Sequence, residues 1–268
     1  MTIPVHSTAL VTGASTGIGA VYADRLARRG HDLILVARDT ARLEALAARL
    51  RAETGRTITV LTADLTDPAQ LGTVAQTIAD TPNLGLLVNN AGVALTGTLA
   101  TSPEAEVARM IALNITAPAL LARAAAIRLA VEGRGAIVNI ASVLALVPEM
   151  MDGTYSGTKA FLLNLSQGLA QDLASTGVHV QVVLPGATRT EIWLRSGKDI
   201  DTFPADWVMD AGDLVDAALV GLDRGETVTI PPLADLADWD AMQSARLALG
   251  PQLSRRAVAP RYSAVAVA

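Results

Sequence analysis

Tyr155 and Lys159 stand four residues apart in the run Tyr155-Ser-Gly-Thr-Lys159. On a helix that spacing puts both on one face. A free phenol titrates near pH ~10. A neighbouring ammonium favours the phenolate and lowers that value toward the working range. A phenol tuned in this way gives a proton to a carbonyl oxygen or takes one from an alcohol. The blander reading is a packed Tyr beside a solvated Lys. Ser142 lies thirteen residues upstream, after Asn139-Ile-Ala141. Its hydroxyl either donates to the same substrate oxygen or closes a strand. Asn114 sits between Leu113 and Ile115 in a long helical stretch, where asparagine is a poor helix former. It either holds a water that reaches Lys159 or satisfies a local backbone group.

A second constellation is the turn Thr12-Gly13-Ala14-Ser15-Thr16-Gly17-Ile18-Gly19. Three glycines let the backbone turn tightly and approach a pyrophosphate, and a helix start supplies free N–H groups and partial positive charge. The spacing is GxxxGxG rather than GxGxxG, and no Gly-Lys-Ser/Thr follows, which excludes a Walker loop. The next strand ends Val36-Ala37-Arg38-Asp39. A NAD site normally places a carboxylate there for the ribose 2′-OH. Ala37 at that position repels no phosphate, and Arg38 can pair with one, which favours NADP. Asp39 is the alternative ribose acceptor and leaves NAD possible.

The elements that must position these groups alternate. Strand-like runs are Thr8–Thr12, Asp32–Ala37, Thr57–Thr62, Leu84–Val88, Gly135–Ala141, Val178–Leu184 and Thr227–Ile230. Helical patterns cover Gly17–Arg29, Ala41–Glu53, a stretch after Asp67-Pro68, Ser102–Val131, Tyr155–Ser175, Val215–Arg224 and Ala234–Leu249. Seven strands separated by helices predict an α/β fold. We expect a Rossmann-type, doubly wound, seven-stranded parallel sheet with helices on both faces. The expected organisation is a single domain over residues 1–268, with a C-terminal extension over about 233–268. Two stretches break the rhythm. Leu144–Thr154 reads as a loop, and Gly186–Ala211 is long enough to be a functional lid or substrate loop. Val143, Leu144, Leu146, Met150, Met151 and Trp193 suggest an apolar pocket.

Composition narrows the field. Twenty-six acidic against twenty-one basic residues give a net charge of −5, which argues against a nucleic-acid partner. Zero cysteines exclude disulfides and thiolate chemistry. His6, His31 and His179 are scattered, His31 and His179 reading as loop residues before strands. With no HExxH spacing no metal is expected, and no GxSxG elbow occurs. A mean hydropathy of +0.38 raises the question of a membrane. Arg123 and Arg128 interrupt the most apolar helical run, and Met1–Ser7 does not read as a signal peptide. The expectation is a soluble cytoplasmic protein whose apolarity comes from a sheet buried on both faces. The Ala/Val-rich end after Pro260 shows no helical pattern.

Taken together, Thr12–Gly19, Asp64-Leu65, Asn89-Asn90-Ala91-Gly92, Asn114, Ser142, Tyr155/Lys159 and Pro185-Gly186 resemble the short-chain dehydrogenase/reductase family. The resemblance covers the chain to at least Ile230. It implies that Tyr155 is the general acid/base and that Lys159 binds the nicotinamide ribose. Ser142 would orient substrate, and Asn114 would complete a proton relay. Gly13, Ser15, Thr16, Gly17, Ile18 and Gly19 would line the phosphate turn. Asp64, with Leu65, would contact the adenine. Asn90, with Ala91 and Gly92, would lie beside the cofactor ribose. Pro185, Gly186, Thr188 and Thr190 would hold the carboxamide. Thr16 is neutral where some NADP-using members carry a basic residue, and Gly157 is an unusual helix residue. The activity implied is hydride transfer between NADP(H) and a hydrophobic ketone or secondary alcohol. A NADP(H)-binding redox sensor without turnover is the alternative. A homodimer or homotetramer through the long helix and the one after Tyr155 is expected at family level.

Overall fold

A computed structural model describes residues 6–262. The expectations for the stretch before His6 and for the tail beyond Tyr262 lie outside the described residues. Seven strands form one sheet: β1 Thr8–Thr12, β2 Asp32–Ala37, β3 Ile58–Thr62, β4 Leu84–Asn89, β5 Gly135–Ile140, β6 Val178–Val183 and β7 Val228–Thr229. Every pairing is parallel. The spatial order is β3-β2-β1-β4-β5-β6-β7. The order reverses between β1 and β4, which opens a crevice at the carboxyl ends of those strands.

The helices are α1 Gly17–Arg28, α2 Thr40–Thr54, α3 Pro68–Asp80, α4 Glu104–Ile111, α5 Ala117–Glu132, α6 Gly153–Asp172, α7 Ile192–Arg195, α8 Ala211–Arg224 and α9 Leu236–Leu249. Strand side chains alternate, and the core divides accordingly. Ala9, Val11, Leu86 and Val88 pack with Tyr22, Leu43, Leu214 and Leu219 from α1, α2 and α8. Leu10 and Leu87 pack with Leu71, Val74, Leu121 and Ala125 from α3 and α5, joined by Leu84 where the β1–β4 register shifts. The sheet is thus buried on both faces, and its continuous apolar runs follow from that.

Helix starts carry their own acceptors. Asp39, Asp67, Asp152, Asp210 and Asp235 each accept from a leading amide of α2, α3, α6, α8 and α9. Pro68 occupies the first helical position of α3, where its missing N–H costs nothing. Between α4 and α5 the helix does not continue regularly. Ala112–Thr116 forms a π-helical turn, which the sequence periodicity does not reveal. The loop expected over 144–154 contains two short 3-10 turns, Val143–Ala145 and Pro148–Met150, before α6 begins at Gly153. Helix α6 runs unbroken through Gly157. His179 lies inside β6 rather than in a loop, its Nε2 within 3.1 Å of Glu226 O. His31 precedes β2 as expected, but it is buried against Ser7.

The continuous helix Glu104–Glu132 has the length and composition of a membrane span, which corrects the reading that no stretch qualifies. Half of its most apolar window is buried inside the protein, where Leu121, Ala122, Ala125 and Leu129 face the sheet. It is a core helix.

The chain divides into two compact units, Met1–Pro231 and Pro232–Ala268. The first holds the sheet and α1 to α8. The second holds α9, the 3-10 turns Gly250–Gln252 and Pro260–Tyr262, and the buried Trp239.

Burial on both faces makes the central strands unforgiving. Leu87 in β4 is fully buried. Leu87→Ala should lower unfolding free energy by about 2–5 kcal/mol in a denaturant titration. A loss under about 1 kcal/mol would mean that α3 and α5 do not cover that face.

Candidate active site

The glycine turn between β1 and α1 is packed closely against the end of β4. Gly13 has φ +66°, and a Cβ there would stand 2.7 Å from Asn90 Nδ2 and 2.9 Å from the Ala91 Cα. A Cβ at Gly19 would collide with the same Asn90 nitrogen and with Gly13 O. Asn90 is the staple that causes this. Its Nδ2 donates to Thr12 O at 2.9 Å and to Gly13 O at 3.3 Å. The Asn90 and Ala91 amides both donate to Thr12 Oγ1, at 3.0 and 3.1 Å. Asn90 therefore shapes the turn with its amide nitrogen, a role that the motif's position beside the ribose did not suggest.

Thr16 precedes α1 and makes no side-chain cap. Five other helices start on an aspartate, but the amides of the first turn of α1 open into the glycine turn with no carboxylate among the described residues to receive them. That is the donor set an anionic group requires. Ser15, Thr16, Gly17 and Ile18 are all partly accessible there, and the residues present fit a pyrophosphate.

At the end of β2, Arg38 is exposed and lies 3.8 Å from Asp64. Asp39 is committed elsewhere. Its Oδ1 caps α2 through Arg42 N at 3.0 Å, and Arg42 Nε stands 3.4 Å from its Oδ2. The ribose acceptor offered by Asp39 is thus engaged as a helix cap. Partial burial of Asp64 works against its ionisation. Hydrogen bonds from Thr66 N and Oγ1 and the nearby Arg38 charge outweigh that and hold its carboxyl below the usual range. Leu65 beside it is buried.

Tyr155 and Lys159 share one face of α6, whose first turn is fixed by Asp152. That carboxylate accepts from Thr154 N and from Tyr155 N, both at 3.0 Å. Lys159 is buried, and its Nζ donates to Ile140 O at 2.9 Å while standing 5.6 Å from the Tyr155 ring centre. Desolvation pushes its pKa down from 10.5 to about 8. Desolvation also pushes the Tyr155 phenol up. The expected lowering of the phenol by Lys159 is not met in the protein alone, because burial dominates and the ammonium is directed at a main-chain carbonyl.

Ser142 caps the 3-10 turn after β5. Its Oγ accepts from Leu144 N at 3.2 Å and reaches Pro185 O at 3.5 Å. Asn114 occupies the π turn and is buried. Its Oδ1 accepts from Val93 N at 3.0 Å, and its Nδ2 donates to Val93 O at 2.8 Å and to Thr158 Oγ1 at 3.1 Å. Thr158 Oγ1 in turn donates to Tyr155 O. Asn114 and Lys159 converge over Gly92, where a Cβ would meet Asn114 Oδ1 at 3.3 Å and Lys159 Nζ at 3.5 Å. The π turn is what brings Asn114 to both Val93 and α6.

The segment after β6 returns to the glycine turn. Val143 N donates to Pro185 O at 2.9 Å, and Thr188 Oγ1 donates to Gly186 O at 3.1 Å. The Thr190 side chain lies 3.2 Å from where a Gly17 Cβ would be. The excursion over 186–211 is closed by a bridge between Thr188 and Met209. Trp193 Nε1 donates to Thr188 O at 2.8 Å, and its ring meets Phe203 at 5.0 Å. Trp193 thus braces the excursion internally. Of the other apolar candidates, Leu144 is buried, Val143, Leu146 and Met151 are half-buried, and Met150 is exposed.

The comparisons agree with this architecture. Residues 7–201 match the family model of the short chain dehydrogenases, and the chain belongs to that family. It is similar to a short-chain dehydrogenase from Sphingobium yanoikuyae solved in complex with NADPH. The identity is 52%, over 96% of this chain and 99% of that one, with a TM-score of 0.93. It is also similar to a bulky-bulky ketone specific alcohol dehydrogenase from Comamonas testosteroni. There the identity is 46% over 97% of this chain and 100% of that one, with a TM-score of 0.90. Among curated relatives, human 17-beta-hydroxysteroid dehydrogenase type 3 is 31% identical over 74% of this chain. That match spans 64% of the relative's own length, just under two thirds.

The buried ammonium has a measurable signature. Between pH 8 and 10 the unfolded chain keeps the Lys159 proton and the folded protein sheds it, so stability rises with pH across that window. Above pH ~10 the unfolded chain loses tyrosine protons that Tyr22 and Tyr155, both pushed up by desolvation, keep, and the trend reverses. Wild type should gain on the order of 2 kcal/mol relative to Lys159→Met over the lower window, read by chemical denaturation at each pH. Parallel curves for the two proteins would show a solvated ammonium.

Proposed function

We propose that this protein is an NADP(H)-dependent carbonyl reductase or alcohol dehydrogenase acting on hydrophobic ketones and secondary alcohols. The observation that carries the reading is the convergence of Tyr155 and a buried Lys159 on the crevice that the uncapped α1 start also faces. Gly13 to Gly19 would hold the pyrophosphate, Arg38 the 2′-phosphate, and Asp64 with Leu65 the adenine end. Asn90, Ala91 and Gly92 would flank the ribose with Lys159, and Pro185, Gly186, Thr188 and Thr190 the carboxamide. The bound nicotinamide would supply or accept a hydride at the substrate carbon.

The chain's own residues handle the proton. Burial keeps it on Tyr155 Oη at neutral pH, which suits donation to an oxygen that is gaining negative charge as the carbonyl π bond breaks. Ser142 Oγ is held at the end of β5 and offers a second hydrogen bond to that oxygen. Lys159 stands close enough to stabilise the phenolate left behind. Asn114, fixed by Val93 and Thr158, is a positioning residue for the approach to Lys159. In the alcohol-oxidising direction the same groups run in reverse.

Two further readings belong to this proposal. The half-buried Val143, Leu146 and Met151 after Ser142 support an apolar substrate, in keeping with the bulky-ketone specificity of the Comamonas relative. Leu120, Ile127 and Val131 point outward from α5 and support pairing of identical subunits.

Tyr155→Phe should lower turnover with a bulky aryl ketone by roughly 10²–10⁴-fold in an NADPH absorbance assay, while NADPH affinity stays within a few-fold. Full activity in that variant would end the mechanism. NADPH binding by wild type with no turnover across a broad carbonyl panel would instead mark a sensor.

The same assay addresses the cofactor. Arg38→Ala removes the guanidinium at the end of β2, with Asp39 engaged as a helix cap. The ratio of kcat/KM for NADPH over NADH should fall by about tenfold or more, a loss of ~1.4 kcal/mol of discrimination. An unchanged ratio would place the phosphate elsewhere.

A further inference from the structure

Arg42 and Glu191 are separated by 149 residues in sequence, yet Arg42 Nη1 contacts both carboxylate oxygens of Glu191, at 2.9 and 2.8 Å. Arg42 belongs to the first turn of α2, which follows β2. Glu191 belongs to the excursion that follows β6. Between β2 and β6 lie β1, β4 and β5. Four spacings of ~4.8 Å put those two strands roughly 19 Å apart. A direct ion pair between the segments they feed requires one segment to cross the carboxyl ends of the strands between. The excursion does this. Thr190 packs at Gly17 in the glycine turn, and one residue later Glu191 reaches across to α2. The pair closes a ring made of the glycine turn, Thr190, Glu191, Arg42 and the β2–α2 corner with Arg38 and Asp39.

From this geometry we propose that Arg42 and Glu191 form a clasp across the crevice between its pyrophosphate and adenosine ends. Glu191 is then a positioning residue that sets how fast a dinucleotide enters and leaves. The inference rests on the cofactor reading above. Each half of the clasp is oriented by a local partner before it meets the other. Arg195, one helical turn on, donates to Glu191 Oε2 at 2.7 Å. Asp39 stands 3.4 Å from Arg42 Nε. Such preorganisation lowers the entropy lost on closing. Both side chains remain about half exposed, at 48% and 44%. An ion pair that wet is weak and screened by salt, so the clasp opens readily and does not seal the crevice. Behind it the excursion is held by the Thr188–Met209 bridge and the Trp193 bracing.

The test is stopped-flow fluorescence of NADPH and NADH binding to the full chain, for wild type, Glu191→Gln and Arg42→Gln, from 50 to 500 mM NaCl. Glu191→Gln should raise the dissociation rates of both dinucleotides about three- to tenfold at low salt. Wild-type rates should climb toward those of the variant as salt rises, while the variant stays flat, and Arg42→Gln should release NADH as fast as Glu191→Gln does. Dissociation rates for Glu191→Gln within twofold of wild type at every salt, with wild type binding normally, would overturn the clasp and leave the cofactor reading intact. An effect on NADPH alone would also overturn it, because a direct contact to the 2′-phosphate would then be at work. Failure of wild type to bind either dinucleotide would overturn both.

Discussion

A buried ammonium is the constraint around which the crevice is organised. Lys159 is almost inaccessible, and the polar atom it meets is the carbonyl of Ile140 at 2.9 Å. Removing a charge from water is costly unless it is paired or hydrogen-bonded. That single bond ties α6 to the end of β5, two residues before Ser142. It therefore sets the distance between the helix that carries the phenol and the strand that carries the hydroxyl. Asp152 fixes the start of the same helix, just ahead of Lys159, by receiving the Thr154 and Tyr155 amides.

Beneath the crevice a polar chain reinforces this arrangement. Asn89 Nδ2 donates to Asn139 Oδ1 at 2.9 Å, Asn139 Nδ2 to Ser166 Oγ at 2.9 Å, and Ser166 Oγ to Leu162 O. Asn89 Nδ2 also reaches Pro118 O. The chain links α5, β4, β5 and α6 in the sheet's interior. Groups buried so deeply resist rearrangement, since each lost partner leaves an unpaired polar atom. The functional side chains above thus stand on a rigid floor.

Much of this was legible from local chemistry. Seven strands, the parallel order and most helix limits followed from short-range periodicity. The glycine turn and the Tyr155/Lys159 spacing announced themselves because each depends on residues a few positions apart. Where roles depend on distant contacts, the reading was incomplete. Nothing local to Asn90 shows that its nitrogen also binds Thr12 and Gly13. Nothing local to Trp193 shows that its ring nitrogen donates to Thr188 O. The phenol was expected to be acidified, but desolvation outweighs the neighbouring charge. The pairing of Arg42 with Glu191 carries no local signal, because nothing in either segment names the other. Asn114 left a faint trace as an asparagine between two apolar residues, yet no periodicity marks the π turn that holds it.

That wide turn has a geometric consequence. One residue more than an α-helical turn rotates everything downstream by about 100° around the axis. The two halves of Glu104–Glu132 are therefore out of phase, and each presents its own inward face without obeying a common stripe. A regular helix would place Met110 within about 20° of Leu121; with the wide turn between them Met110 points away from the Leu121, Ala125 and Leu129 stripe, and all four are nevertheless buried. Excising a residue from 112–116 would turn the wide turn into a regular α-helical one and leave both flanking halves facing as they do. What it would take away is the place that Asn114 occupies between Val93 and Thr158.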